Sequence, residues 1–445
     1  MTTPPSGRGE GLDCVIVGGG LGGLACAHGL VKAGRTVHVV EAEEAPGGRA
    51  RTVWHRGRPV DRGFQVVFKA YPRTRELMRA VGIPRRDLRA ISGGAVFVHG
   101  DGTLHRLGTS KVAALRFTGL RGADRRRLAA LAAEVAARPA EALLAQDEEG
   151  LSTEGFLRAR GFSDDAIEDV FRPLFGTILL DRSLGADPGY FRFLVSMLVR
   201  GPAAIPSDGL GMIAEWTSAA VRQAGGTIDL GVRASALEPD AAGRRVAAVT
   251  TDDGRRIAAR QVVLAAEAPA AARLLGPLDP ESAGRLPSEP ASSATAAFAL
   301  RTPLYRGRVI LLNADRDPPG TPRVDLLCQT TNVTRPGAFE GPHILLATRV
   351  TTQGGGGDGL VEATRDLVRR WTPGYDWDEL AEPIDVYEHP FAQYRPLSGV
   401  RRDLPGPRTA FENLSLAGDL TTHPSIEGAV ASGARAAEIV DALLP

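Results

Sequence analysis

Three glycines with the spacing of a phosphate-binding turn lie near the start of the chain, at Gly18, Gly20 and Gly23. In a GxGxxG pattern the first glycine permits a tight turn, and the second lets the backbone approach a diphosphate. The third lets a helix pack closely on a strand. A helix beginning here would point the free N–H groups of Leu21 and Gly22 at the same phosphates. The pattern predicts dinucleotide binding, and the alternative is an incidental turn in a glycine-rich chain.

A carboxylate and an arginine follow at positions suited to the same ligand. Glu41 lies about twenty residues further on, where a carboxylate accepts the ribose hydroxyls and repels a 2′-phosphate. Gly48 and Arg49 belong to the segment PGGRART at 46–52, which offers close backbone approach and a positive charge. The alternative for this segment is a surface turn with a solvated arginine.

A second group of glycines and a carboxylate lies near the C-terminus. Gly418 and Asp419 end the apolar run LAGD, and Ile426 begins the segment IEGAVASG. Asp419 is placed to bind the ribityl chain of a flavin. Free N–H groups at a helix start near Ile426 would meet the flavin C2 oxygen, where negative charge develops on reduction. Together the two ends of the chain favour FAD over NAD.

The elements that must position these residues follow from hydrophobic periodicity. A buried strand is predicted at 12–17, a helix at 22–33 ending at Gly34, and a second strand at 36–40. The stretch 71–200 is mainly helical in pattern. Strands are predicted at 227–237, 246–251, 260–265 and 414–417, and sheet-like alternation at 291–349. Helices are predicted at 360–371 and 425–444.

These motifs resemble those of a known superfamily, the FAD-dependent amine oxidases, phytoene desaturases and protoporphyrinogen oxidases. The segment DRGFQ resembles the superfamily's DxGxQ motif beside the flavin, which implies roles for Gly63, Phe64 and Gln65. The stretch LGVRASAL at 230–237 resembles the segment whose backbone reads the adenine, with Ala234 where valine is usual. The segments FRPLFG at 171–176 and LGM at 210–212 are most similar to the desaturase-like oxidoreductase branch.

The resemblance implies an α/β fold with a discontinuous, Rossmann-like FAD-binding domain and a mixed α+β substrate domain that carries a helical insert. The FAD-binding domain is expected to combine residues 1–75, 205–285 and 405–445. The substrate domain is expected to combine 76–204 and 286–404.

Composition excludes several other classes. A net charge of +1 with interspersed acids and bases gives no reason to expect a nucleic-acid partner. Cys14, Cys26 and Cys328 show no metal-ligand spacing and none lies near the C-terminal flavin motifs, so we expect no metal and a non-covalent FAD. The polar residues 1–11 are expected to be a lead-in and not a signal peptide, and a cytoplasmic location fits.

The chemistry is expected to be hydride removal by the flavin. No second GxGxxG lies in a strand–helix context, since QGGGGDG at 353–359 is typical of a loop. We therefore expect oxygen, a quinone or another acceptor to reoxidise the enzyme. Amine oxidases of the superfamily carry a lysine near flavin N5, whereas all three lysines here, Lys32, Lys69 and Lys111, precede the predicted substrate strands. This favours a dehydrogenase, desaturase or oxidase acting on a largely apolar small molecule.

His423 and His389 are the candidate catalytic bases, because an ordinary imidazole titrates near neutral pH. The alternative for each is a loop or surface histidine. Three other functions stay open: an amine or amino-acid oxidase, a flavin-assisted isomerase without net redox change, and a non-enzymatic carrier like the GDP-dissociation inhibitors. An apolar substrate is compatible with peripheral docking on a membrane. The sequence favours no particular oligomeric state.

Overall fold

The computed structural model describes residues 11–110, 116–145, 150–317, 323–337, 341–351 and 354–445. Three sequence predictions fall wholly or partly outside these ranges: the lead-in at 1–11, Lys111 at the start of the helical region, and the first residue of the loop 353–359.

The chain folds into sixteen described helices and twenty described strands. The helices are α1 (Leu21–Lys32), α2 (Pro72–Ala80), α3 (Gly122–Ala136), α4 (Ala140–Leu144), α5 (Thr153–Ala159), α6 (Asp164–Ala166), α7 (Arg172–Ile178), α8 (Pro188–Arg200), α9 (Gly211–Gln223), α10 (Ala268–Leu275), α11 (Pro280–Gly284), α12 (Thr331–Thr334), α13 (Leu360–Trp371), α14 (Trp377–Leu380), α15 (Val400–Asp403) and α16 (Ile426–Leu443). The strands are β1 (Cys14–Val17), β2 (Val37–Val40), β3 (Thr52–His55), β4 (Arg58–Asp61), β5 (Val67–Phe68), β6 (Leu88–Ala90), β7 (Gly94–Val98), β8 (Leu104–Leu107), β9 (Ala203–Pro206), β10 (Thr227–Asp229), β11 (Ala234–Pro239), β12 (Val246–Thr251), β13 (Arg256–Ile257), β14 (Gln261–Leu264), β15 (Pro290–Leu300), β16 (Val309–Asn313), β17 (Leu326–Gln329), β18 (His343–Thr351), β19 (Ala381–Tyr394) and β20 (Leu414–Leu416).

A five-stranded parallel sheet is assembled from widely separated parts of the chain, in the order β10-β2-β1-β14-β20. Every residue of the central strands β1 and β14 is buried, as expected for a parallel sheet covered on both faces. The carboxyl ends of β1, β2 and β20 lie at one edge of this sheet, because the strands are parallel. That edge receives the glycine turn, Glu41 and Asp419.

The first and last long helices pack against each other at very short range. A Cβ atom built on Gly433 of α16 would lie 2.0 Å from the carbonyl oxygen of Gly22 in α1. One built on Gly29 would lie 2.7 Å from Cβ of Ala437. Only glycine allows this approach, so the contact brings the C-terminal segment onto the glycine turn.

A second large sheet has seven strands, in the order β19-β15-β18-β17-β16-β7-β8. Strand β15, second from the β19 edge of this sheet, alternates between two cores, as a strand must. Phe298 packs on Trp377 with ring centroids 4.9 Å apart, while Ala297 faces Val60 of β4. The helices α3 to α8 form a separate block, and its last member, α8, is buried along most of its length.

Most predicted elements are confirmed, including α13 and β12 with the predicted bounds, but two predictions are wrong in part. The stretch 71–200 contains β6, β7 and β8, and β7 pairs in parallel with β16 more than 200 residues away. Such a long-range partner leaves little local signal. The single strand predicted at 227–237 is divided into β10 and β11, which join different sheets, because Gly231 turns the chain with φ +69°.

Within the described ranges, no helix is both long enough and apolar enough to cross a membrane.

The α1–α16 contact generates a stability prediction. Gly433→Ala places a methyl group against the Gly22 carbonyl, so we expect the free energy of unfolding to fall by about 1–3 kcal/mol. Gly284→Ala is the matched control, because its Cβ would meet no described atom within 4 Å. Chemical denaturation of both variants measures the difference. Equal stability of the two would contradict the proposed close packing.

Candidate functional site

The glycine turn between β1 and α1 has three glycines with different surroundings. Gly18 has φ +111°, and a Cβ there would lie 2.6 Å from the carbonyl oxygen of Ala265. A Cβ on Gly23 would lie 2.0 Å from the Gly18 carbonyl oxygen. A Cβ on Gly20 would meet no described atom within 4 Å. Internal packing therefore requires Gly18 and Gly23, whereas Gly20 borders open space at the N-terminus of α1.

Glu41 lies directly after β2 and is buried beside this turn. Its Oε2 atom accepts a hydrogen bond of 2.5 Å from the Gly19 N–H, and its Oε1 atom accepts one from the Glu43 N–H. The Val232 N–H donates to the Glu41 carbonyl oxygen at 2.8 Å. The stretch 230–237 therefore passes next to Glu41, and Ala234, the first residue of β11, is buried. Glu41 and the stretch 230–237 therefore lie on adjacent segments beside the glycine turn.

Arg49 and Asp419 join the two ends of the chain. Nη2 of Arg49 donates to both carboxylate oxygens of Asp419 at 2.9 Å, and Nη1 donates to the Ala392 carbonyl at 2.9 Å. Burial by itself lowers the pKa of Arg49, but the charge and hydrogen bonds of Asp419 outweigh it and the pKa is raised. The guanidinium thus keeps its charge at the edge of the parallel sheet.

Gly418 and Ile426 sit on either side of a short connection that leads into α16. A Cβ on Gly22 would lie 3.0 Å from the Gly418 Cα atom, so α1 and this connection are in contact. The Ser425 side chain caps α16 by accepting a hydrogen bond from the Gly428 N–H. The first turn of α16 begins at Ile426, and the first N–H groups of a helix have no acceptor within the helix.

The segment DRGFQ connects the glycine turn with the substrate side. Gln65 donates from Nε2 to the Arg49 carbonyl at 2.9 Å. Nε2 of His389, on β19, lies 2.7 Å from the Arg62 carbonyl oxygen, to which it donates, and borders Gly63. Phe64 is half-buried and packs on the main core. The structure brings Gly63, Gln65 and His389 together with Arg49.

Asp61, the first residue of that segment, is buried and joins two parts of the chain through hydrogen bonds. Its Oδ1 atom accepts hydrogen bonds from the Thr52 hydroxyl at 2.5 Å and from the Leu210 N–H at 2.8 Å. The Gly211 N–H in turn donates to the Thr52 hydroxyl. Burial raises the pKa of Asp61 to about 6, although both hydrogen bonds act to lower it. Asp61 therefore fixes the LGM segment at 210–212 to the DRGFQ segment.

His423 lies in an aromatic cluster that sequence reasoning missed. Its ring centroid is 4.7 Å from that of Phe193 and 5.7 Å from that of Tyr190, both on α8. Burial lowers the pKa of His423 to about 3, with the Arg401 charge as a smaller cause. Tyr190 and Tyr394 donate from their hydroxyls to carbonyls at 424 and 422. The cluster gives the loop before α16 a rigid, apolar wall.

Burial lowers the pKa of both candidate histidines below that of a free imidazole. Burial is also the main cause that lowers the pKa of His389, against the hydrogen bond to Arg62, which raises it. Both rings are therefore neutral and weakly basic at physiological pH. The value of about 3 disfavours proton transfer by His423, and the catalytic role of both histidines stays a prediction.

Glu427 is a second residue that the sequence did not single out. It is buried in the first turn of α16, and its carboxylate accepts hydrogen bonds from the N–H groups of Arg73 and Thr74 and from the Thr74 hydroxyl, at 2.8–2.9 Å. Burial raises its pKa, opposed by these hydrogen bonds. Its position in SIEG is a visible signal for a helix start, but its partner on α2 lies 350 residues away.

In the described part of the chain, no group of three or more His, Cys, Asp or Glu side chains is arranged to hold a metal ion. The three cysteine thiols are buried, and desolvation raises the pKa of each. Strand β15, which we expected to face the substrate, carries no lysine.

Comparisons with known proteins agree with this geometry. The model of the flavin-containing amine oxidoreductase family matches residues 21–441. A phytoene dehydrogenase of Streptomyces griseus is 30% identical over 299 residues, which cover 59% of this chain and 55% of that protein. A hydroxyneurosporene desaturase of Rhodobacter capsulatus is 53% identical over 55 residues, 12% of this chain and 11% of that protein.

The fold is also similar to that of a solved structure, an oxidoreductase from Methanosarcina mazei. The TM-score is 0.75 at 19% identity, and the match covers 96% of this chain and all of that one. This shows a shared α/β fold, which confirms the fold class expected from the motifs. The sequence alignments span only about a tenth of the length of the hydroxyneurosporene desaturase and about half of the length of the phytoene dehydrogenase.

The raised pKa of Asp61 generates a prediction about how stability depends on pH. Its pKa rises on folding from 3.8 to about 6, so its contribution to stability is full below about pH 3.8 and is lost as the pH rises through about 6. Asp61→Asn keeps the acceptor oxygen without the charge. We expect it to be more stable than wild type above pH 6, by about 3 kcal/mol at most, with a smaller difference at pH 4.

Thermal unfolding of both proteins across this pH range measures the effect. Asp61→Ala is the control, because it leaves the Leu210 N–H unpartnered and should destabilise at every pH. A difference between Asp61→Asn and wild type that does not change with pH would contradict the shifted pKa.

Proposed function

We propose that this chain, which belongs to the family of flavin-containing amine oxidoreductases, binds FAD without a covalent bond and removes a hydride from a largely apolar small molecule. It is an oxidoreductase by family. The observation that carries the proposal is the meeting of the two chain ends, where Arg49 and Asp419 lie beside the glycine turn. One end offers the features that hold a diphosphate, and the other offers those that hold a flavin ring.

The residues present fit FAD. The open space at Gly20 and the start of α1 suit the diphosphate, and Glu41 suits the adenosine ribose. We assign the remaining contacts to the flavin and adenine parts, and the full proposed set is Gly18, Gly20, Leu21, Gly22, Gly23, Glu41, Gly48, Arg49, Gly63, Phe64, Gln65, Ala234, Gly418, Asp419 and Ile426. When bound, the flavin supplies the hydride acceptor. The predicted domain boundaries are proposed with these assignments.

The surroundings support an apolar substrate. Tyr190, Phe193 and His423 form a buried, uncharged wall before α16, and β15 is lined by small apolar and hydroxyl side chains. Such a wall favours the binding of apolar groups and the exclusion of water. The names of the two curated relatives, a phytoene dehydrogenase and a hydroxyneurosporene desaturase, point to polyene substrates of the same character. Oxygen, a quinone or another acceptor is proposed for reoxidation.

The cofactor assignment generates a prediction at the glycine turn. Gly20→Ala puts a methyl group into open space where we place the diphosphate, so FAD should bind about tenfold more weakly or worse. The apoprotein should keep its melting temperature, because Gly20 has an extended backbone with φ −69°. Glu41→Ala and Asp419→Ala should also weaken FAD retention.

Flavin occupancy after purification and FAD titration of the apoprotein measure these effects. Gly23→Ala is the contrasting variant, since its methyl group would lie against the Gly18 carbonyl and should destabilise the apoprotein itself. Wild-type FAD affinity in Gly20→Ala would show that the cofactor lies elsewhere.

Substrate class is tested by anaerobic bleaching of the visible flavin band. We expect isoprenoid or polyene compounds to reduce the flavin, since the wall formed by Tyr190, Phe193 and His423 is buried and uncharged. Amines and porphyrinogens are the comparison panels. Reduction by amines alone would favour the amine oxidase alternative, and substrate conversion without bleaching would favour the isomerase.

A further inference from the structure

A cavity of about 480 Å³ opens beside α2, and none of its lining residues belongs to the proposed flavin site. Its floor is apolar and includes the buried side chains of Met78, Ile83 and Leu88. Four cationic side chains line it as well: Lys69, Arg75, Arg79 and Arg85. A cavity of this size is in the range that accommodates a small molecule.

The cations of this cavity have no carboxylate partners among the described residues. The acids adjacent in sequence are engaged elsewhere: Glu76 pairs with Arg73 at 3.2 Å, and Asp87 lies 3.9 Å from Arg86. Elsewhere in the structure some arginines pair with acids, as Arg49 does with Asp419, and others donate to backbone carbonyls, as Arg106 does to Gly93. Four cations around one apolar floor therefore form an uncompensated positive site.

Arg89 adds to the same imbalance. Its Nε atom is buried and has no hydrogen-bond partner in the described part of the protein. Burial lowers the pKa of Lys69, and the charge of Arg89 lowers it further, so the two cations lie close enough to repel each other. An anion bound at Lys69, which lines the cavity, would relieve this repulsion.

We propose that this cavity binds an amphiphile with a phosphate or diphosphate headgroup and an apolar tail, the headgroup on the arginines and the tail on the floor of Met78, Ile83 and Leu88. Arginine forks suit phosphate oxygens, which accept several N–H groups at once. An anion alone would not use the apolar floor, and an uncharged lipid would leave the cations unpaired. The site is independent of the proposed flavin chemistry.

The proposed cavity site is connected to other parts of the protein through Lys69 and α2. Lys69 follows β5, and its N–H donates to the Pro202 carbonyl at the start of β9. The N-terminus of α2 is held by Glu427 of α16 through three hydrogen bonds. The ligand would therefore bind along α2, whose N-terminus is fixed to the C-terminal segment of the proposed cofactor site.

Isothermal titration of the full-length, flavin-loaded protein tests the proposal, with geranyl diphosphate and inorganic diphosphate as probes. We expect geranyl diphosphate to bind more tightly than inorganic diphosphate. Its affinity should fall as salt is added. Arg79→Gln and Arg85→Gln should each weaken binding about tenfold.

Two matched controls remove the same charge from the same region. Arg73→Gln lies on α2 and Arg86→Gln lies next to Arg85, but neither residue lines the cavity. Both controls should bind like wild type. Flavin occupancy should be unchanged in all four variants, which separates a failure of this proposal from a failure of the proposed function.

Cosedimentation with phosphatidylcholine vesicles, with and without phosphatidylglycerol, distinguishes the source of the headgroup. Binding to geranyl diphosphate supports a free amphiphile. Binding only to phosphatidylglycerol vesicles, lost in Arg79→Gln and kept in Arg73→Gln, supports a lipid headgroup. The proposal is overturned if neither geranyl diphosphate nor phosphatidylglycerol vesicles bind, if lining and control variants behave alike, or if inorganic diphosphate binds as tightly as geranyl diphosphate.

Discussion

The close approach of α1 to the C-terminal segment is the constraint on which the site depends. Gly22 lies against Gly418 on one side and against Gly433 on the other, at distances that a side chain would forbid. Because of this contact, strand β20 can join the parallel sheet next to β14, and Asp419 arrives within hydrogen-bonding distance of Arg49. A stretch of chain from the last thirty residues thus completes a site that the first fifty began.

Each buried charge around that contact is fully engaged, as buried charges must be if they are not to cost stability. Glu41 accepts from two backbone N–H groups, Glu427 accepts from two N–H groups and a hydroxyl, and Asp419 forms a two-oxygen pair with Arg49. All three connect segments that are distant in sequence. The charged groups therefore order the cleft as well as offering contacts to a ligand.

The part of the proposed site formed by α8 and β19 differs in charge from the part described above. Its aromatic and histidine rings are uncharged at neutral pH, because burial outweighs the groups that would favour their charged forms. Hydride removal from an apolar carbon suits such surroundings, since it needs position and dryness more than it needs a proton carrier.

The sequence by itself determined the parts whose signals are local. The GxGxxG turn, Glu41 after β2, the GD pair after β20 and the cap of α16 are each readable within a few residues, and together they predict the fold and the cofactor class. The tertiary structure alone decided which residues meet: the Arg49–Asp419 pair, the Glu427 contact with α2, the pairing of β7 with β16, and the low pKa of His423. These depend on long-range packing and on burial, and neither is encoded in the spacing of neighbouring residues.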